Sequence, residues 1–135
     1  MNEVVLIAWC PKFGLWPDGM GSNCFSCNGY DACRVPWRLA TDFAWTGEPR
    51  AASLLAEVSG KVDAQGMDPF SGGPNSAFYG SLALSGLAVG QEKADQHYNT
   101  WINANPLYDN AYYQGTLRMI YLLLAGGNFP STLAQ

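Results

Sequence analysis

Two stretches of this chain, Ser76 to Ala88 and Ala111 to Leu124, are apolar on nearly every side of the helix that their composition predicts. A helix without a polar face is stable only where neighbours cover it all round. Each of the two alternates with a more polar, one-sided helix. Their openings also echo one another: Ala77-Phe78-Tyr79-Gly80-Ser81-Leu82 recurs loosely as Ala111-Tyr112-Tyr113-Gln114-Gly115-Thr116-Leu117, each beginning just after an Asn. Alternating inner and outer helices are what a layered, repeated helical architecture requires. The expected class is therefore all-α.

Three further helices are predicted. The first runs from about Ala32 to Trp45, with Pro36 in its opening turns, where a missing amide costs least. Trp37, Ala40, Thr41, Ala44 and Trp45 share one broad face by three- and four-residue steps. Thr46-Gly47 ends it. Glu48-Pro49 opens the second, about Arg50 to Val58, with Ser59-Gly60 beginning its end and a Gly-, Asp-, Ser- and Pro-rich connector over 59–74. The helix from Ser76, with Asn75 as its expected cap, carries the small residues Gly80, Ser81, Ala83, Ser85 and Gly86, which suits a closely packed inner position. The fourth helix, Gln91 to Asn103, is expected to turn Ala94, His97, Tyr98 and Trp101 inward. Gly126-Gly127 closes the last. Residues 1–29 are too rich in Pro and Gly for long regular elements, and Val4 to Ala8 is too short for periodicity to tell strand from helix.

At 135 residues the chain is expected to form one domain, 1–135. Charged residues are 13% of it, against roughly 25% in an average globular protein, while five Trp and seven Tyr make it aromatic. The net charge is −4 and there is no basic tract, so nucleic acid is not an expected partner. No apolar run reaches the roughly 20 residues that span a bilayer, so no membrane partner is expected either. The start, Met1 to Cys10, lacks the basic n-region and long apolar core of a secretory signal. Cys10, Cys24, Cys27 and Cys33 allow three full disulfide pairings or, through Cys24-x-x-Cys27, a zinc site. The single histidine, His97, is far from them in sequence.

The run Gly29-Tyr30-Asp31-Ala32-Cys33-Arg34-Val35-Pro36-Trp37-Arg38 places an acid and a base three residues apart at a helix start. At that spacing both lie on one side. The structural reading is a capping aspartate with an arginine partner. The functional one is a carboxylate that Arg34 keeps ionised so that it can take a proton from water. Tyr30 adds a phenol that can stack on a sugar or donate to a carboxylate. Inverting glycoside hydrolysis needs a second carboxyl group, separated from the first by room for a water. None of the other acids has a distinctive context. Asp42 lies eleven residues on, about 16 Å along an ideal helix, and reads as a surface group. Glu48, Glu57, Glu92 and Asp95 fit helix surfaces, whereas Asp18 and Asp109 fall in loops. The aromatic pairs Phe78-Tyr79 and Tyr112-Tyr113 fit either core packing or the rim of a sugar-binding cleft. Asn75, Asn110 and Gln114 would add amide contacts, and Trp37 and Trp45 read as core.

The segments FGLWPDGM, GYDACRVPWRLATDFAW with TGEPRA, GGPNSAFYGSLA and YYQGTLRMIYLLLAGGNF resemble the C-terminal portion of the catalytic domain of glycoside hydrolase family 8, over almost the whole chain. The resemblance implies part of an (α/α)6 barrel, about five or six helices of its twelve. It implies a β-1,4-glucan substrate in an open cleft, cleaved with inversion; related members act on xylan, xylo-oligosaccharides, lichenan or chitosan. By that resemblance Asp31 is the general base, Tyr30 and Arg34 line the catalytic centre, and Tyr112 and Tyr113 contact sugar. No metal or organic cofactor is implied. The family's general acid, a glutamate in the N-terminal part of the domain, has no matching segment here. The chain is thus expected either to belong to a longer, secreted enzyme whose N-terminal part is its partner, or to be an inactive carbohydrate-binding or interaction fragment.

Overall fold

The computed structural model describes residues 33–66, 76–104 and 111–129, and every regular element among them is helical. Helix α1 is Arg34–Thr46 and α2 is Pro49–Gln65. Helix α3 is Ser76–Ala83, continued as a 3-10 helix over Leu84–Ala88. Helix α4 is Gln91–His97, continued in π-helical turns over Tyr98–Asn103, and α5 is Tyr112–Ala125. This is the expected all-α class, consistent with part of an (α/α)6 toroid.

Local chemistry sets the first boundaries. Helix α1 stops where Gly47 turns left-handed at φ 69°, its amide returning to the Phe43 carbonyl. A side chain there would carry a steric cost that glycine does not. One residue later the Glu48 carboxylate accepts from the Arg50 amide, and Pro49 occupies the first helical position. A two-residue link of this kind forces α1 and α2 into antiparallel contact.

Helix α2 outruns its predicted end by about two turns, so residues 59–65 are helix and not connector. Glycine inside a helix costs about 1 kcal/mol relative to alanine. Opposing that cost, Val58 and Val62 are both buried, and Lys61 bridges to Glu57 at 3.0 Å within the helix.

Helix α3 is the centre of the core. From Ala77 to Gly86 every residue is buried. Its glycines are places of close approach. A β-carbon on Gly80 would fall into the Tyr121 ring, and one on Gly86 would stand 2.9 Å from the Lys93 carbonyl oxygen and 3.0 Å from the Ala94 α-carbon. Small residues thus let α5 and α4 lie against the α3 backbone. Cys33, Ala40, Leu55, Val58, Val62, Ile102, Leu117, Tyr121 and Leu124 complete the buried cluster.

The C-terminal ends of α1, of the 3-10 continuation of α3 and of α5 meet around one groove, lined by Phe43, Ala44, Leu87, Leu124 and Ala125. Nearer their other ends, the Ser81 hydroxyl donates to the Cys33 carbonyl and Trp37 packs edge-on against Tyr121 at 6.2 Å. The three helices therefore run parallel and start on the same side of the layer. Helices α2 and α4 form the second layer.

Two expected faces are corrected. In α4 Ala94, His97 and Trp101 face inward as expected and Ile102 joins them, while Tyr98 is exposed. The π-helical turns widen the repeat, so that Ile102, five residues after His97, takes the inward position. Helix α5 buries Leu117, Tyr121 and Leu124 but exposes Tyr112, Thr116, Met119 and Leu123. It is the outermost of the three parallel helices and is covered on one side only.

Candidate functional site

The start of α1 is fastened to α3. Cys33, just ahead of the helix, is fully buried, and its carbonyl accepts from the Ser81 hydroxyl. Beside this bond the Tyr121 hydroxyl donates to the Ala77 carbonyl at 2.9 Å. Burial pushes the Tyr121 phenol far up, and the nearby Cys33 and Tyr113 push it further, so it remains a donor at any ordinary pH. Arg34, the first residue of α1, is exposed at this end. The Cys33 side chain makes no capping bond to α1, and the first turn of the helix holds no acidic residue. Its positive dipole end and Arg34 together favour an anionic group here.

Helix α5 starts on the same side of the layer as α1. Its first turn carries Tyr112, 85% exposed, and Tyr113, 39% exposed. These rings stand at the edge of the end from which α1 departs, with Gln114 half-buried behind them.

Tyr30 and Asp31 lie outside the described residues, as do Asn75, Asn110, Asp18, Asp109 and the cysteines Cys10, Cys24 and Cys27. Of the aromatic pair at the start of α3, Phe78 and Tyr79 are core: they are 7% and 3% exposed, and Tyr79 meets Trp101 edge to face at 5.7 Å. Trp37 is packed against Tyr121, as expected of a core residue. Trp45 stacks on Phe129 at 5.8 Å and donates its indole N–H to the Phe129 carbonyl at 3.1 Å. Asp42 is exposed and accepts from Thr46. Among the described residues no three His, Cys, Asp or Glu side chains gather as metal ligands, and no helix is long and apolar enough to cross a membrane.

Ser81 and Tyr121 were not legible as supports of this end. Their partners are main-chain carbonyls 48 and 44 residues away in sequence. The only cue is a hydroxyl placed in an otherwise apolar helix, which needs some acceptor when buried.

No family model matches the sequence, and no solved structure matches it. Curated proteins do. Endoglucanase 2 of Ruminiclostridium josui is 27% identical over 142 aligned residues, covering 96% of this chain and 30% of that protein. Endoglucanase C of Ruminiclostridium cellulolyticum is 28% identical over the same shares. Endoglucanase A of Acetivibrio thermocellus is 27% identical over 94% of this chain and 28% of its own length. The chain thus spans about 30% of the length of the curated relatives it matches. The similarity is a family-level match to endoglucanases like those of glycoside hydrolase family 8, and it extends over nearly the whole chain.

Proposed function

We propose that this chain is the C-terminal portion of a β-1,4-glucan hydrolase domain that inverts configuration at the cleaved bond. Asp31 takes the proton from the attacking water. Arg34, three residues on, keeps that carboxylate ionised, aided by the positive end of α1. Tyr30 lies beside it in sequence, and Tyr112 and Tyr113 offer ring faces to successive sugar units. The acid that protonates the leaving oxygen comes from the N-terminal part of the same domain, in a secreted enzyme. The remaining 70% or so of the relatives' length leaves room for that part.

The observation that supports this reading is the pair of exposed tyrosines in the first turn of α5, a helix that starts on the same side of the layer as α1. Two aromatic rings outside the core at one helix start are a poor way to stabilise a fold and a good way to hold pyranose faces.

Cellohexaose binding to the full chain, followed by tyrosine resonances and calorimetry, tests it. Binding is expected, and Tyr112→Ala is expected to weaken it about three- to tenfold, the worth of one stacking contact, with helicity unchanged. Binding that is absent, or indifferent to Tyr112→Ala and Tyr113→Ala alike, would contradict the assignment of these rings to sugar.

A further inference from the structure

Three serines are buried among the described residues, and their hydroxyls differ in what they do. Those of Ser59 and Ser85 meet no partner there. That of Ser81 donates to the Cys33 carbonyl, 48 residues away in sequence and just ahead of α1. Beside it the Tyr121 hydroxyl donates to the Ala77 carbonyl at 2.9 Å and hydrogen-bonds with Ser81. A hydroxyl buried in an apolar helix needs an acceptor. Ser81 finds its acceptor in the segment that leads into the candidate site.

Ser81 sits inside the run from Ala77 to Gly86 in which every residue is buried. Cys33 is itself fully buried and belongs to the same core cluster. Its side chain and its carbonyl are thus both held by the core, and the chain leaves that point with a fixed origin. Asp31 precedes Cys33 by two residues and Arg34 follows it by one. A residue spans at most about 3.6 Å of chain, so the α-carbon of Asp31 can stand no more than about 7 Å from that of Cys33. The carboxylate and the guanidinium therefore hang on either side of one anchored peptide.

We propose that Ser81 is a positioning residue for glucan hydrolysis: by holding the Cys33 carbonyl it sets where Asp31 and Arg34 stand against the sugar and the attacking water. The inference rests on the assignment of Asp31 as the base. Ser81 is fully buried, so it reaches neither sugar nor bulk water and acts through Asp31. A general base works only within hydrogen-bond reach of the proton it takes. A misplacement of about 1 Å can cost about 10²-fold in rate.

The test sets the full chain in place of the matching segment of the Acetivibrio thermocellus endoglucanase and follows hydrolysis of soluble β-glucan. Assays are run at a temperature where circular dichroism shows each hybrid folded. Ser81→Ala is expected to lower kcat by about ten- to a hundredfold with KM little changed. Ser81→Cys keeps a weaker donor and is expected to fall between, and it serves where Ser81→Ala does not fold. Ser85→Ala removes a buried hydroxyl that has no part in holding Cys33 and is expected to leave kcat unchanged. In an Asp31→Asn background, Ser81→Ala is expected to lower kcat by less than about twofold more, because a residue that acts through the base then has nothing left to position. In the full chain by itself, Ser81→Ala is expected to speed amide exchange at the start of α1 and not in α2 or α4. A Ser81→Ala kcat within about threefold of the unsubstituted hybrid, an equal loss from Ser85→Ala, a loss of the same size in the Asp31→Asn background, or unchanged exchange at the start of α1 would overturn the proposal while leaving Asp31 as the base. Full activity of Asp31→Asn would overturn the assignment of the base and this proposal with it.

Discussion

The ring of Tyr121 occupies the space where a β-carbon on Gly80 would stand, 2.8 Å from that position at Cε2 and closer still at Cδ2. The aromatic group is fully buried, hydrogen-bonded to Ala77 and in contact with Trp37, so it has nowhere to retreat. Gly80→Ala should therefore push α5 away from α3 and cost about 1–3 kcal/mol, the range for overpacking a core. Tyr121→Phe keeps the ring and loses the hydroxyl's hydrogen bonds, to the Ala77 carbonyl and with Ser81, a loss of about 0.5–1.5 kcal/mol at the net worth of a single such bond. Denaturant titration of the two variants checks the order: the added methyl should do more harm than the removed hydroxyl.

Ser85 is buried in the 3-10 continuation of α3, and among the described residues its hydroxyl meets no partner; Ser59 on α2 is in the same condition. Size, not polarity, is what these sites demand. Ser85→Ala and Ser59→Ala should leave the midpoint of unfolding unchanged or raise it, since each removes an unsatisfied buried group. Ser81→Ala should do the opposite, because it removes the hydroxyl that donates to the Cys33 carbonyl across α1 and α3. Thermal melts of the three single variants separate these outcomes.

Acid should act through Asp63. Its acidity is enhanced in the folded state, chiefly by Lys93, so the folded chain holds a carboxylate where the unfolded chain would already take up a proton. Its contribution is complete above the ordinary aspartate value of about 3.9 and is lost as pH falls through the lower folded value. The side chain is 39% exposed, so solvent screens the effect and the loss is modest. Denaturation curves between about pH 5 and pH 2 should show this decline, and Asp63→Asn should flatten it.

Much of the fold could be read from residue types. Gly47 ending α1, Glu48-Pro49 opening α2 and the small residues along α3 are local signals, and the helices obey them. The extension of α2 through Gly60 was hidden because burial of Val62, which opposes glycine's cost, is a tertiary fact. The rotation of α4 was hidden for a related reason: a run of π-helical turns changes which residue follows His97 inward, and no pattern at a 3.6-residue period can reveal it. At the candidate site, spacing paired Asp31 with Arg34, and the structure brings Tyr112 and Tyr113 to the end where α1 starts. The fastening of that end by Ser81 and Tyr121 depends on contacts more than 40 residues apart, which spacing cannot supply.

The central claim is that Asp31 supplies the base of an inverting glucan hydrolase. Its most direct test replaces the matching segment of the Acetivibrio thermocellus endoglucanase with this chain, giving the base a complete domain to work in. On soluble β-glucan, Asp31→Asn in that hybrid should lower kcat by at least about 10²-fold while KM changes little. A kcat that stays within about threefold of the unsubstituted hybrid, well short of the loss expected for a general base, would contradict the account.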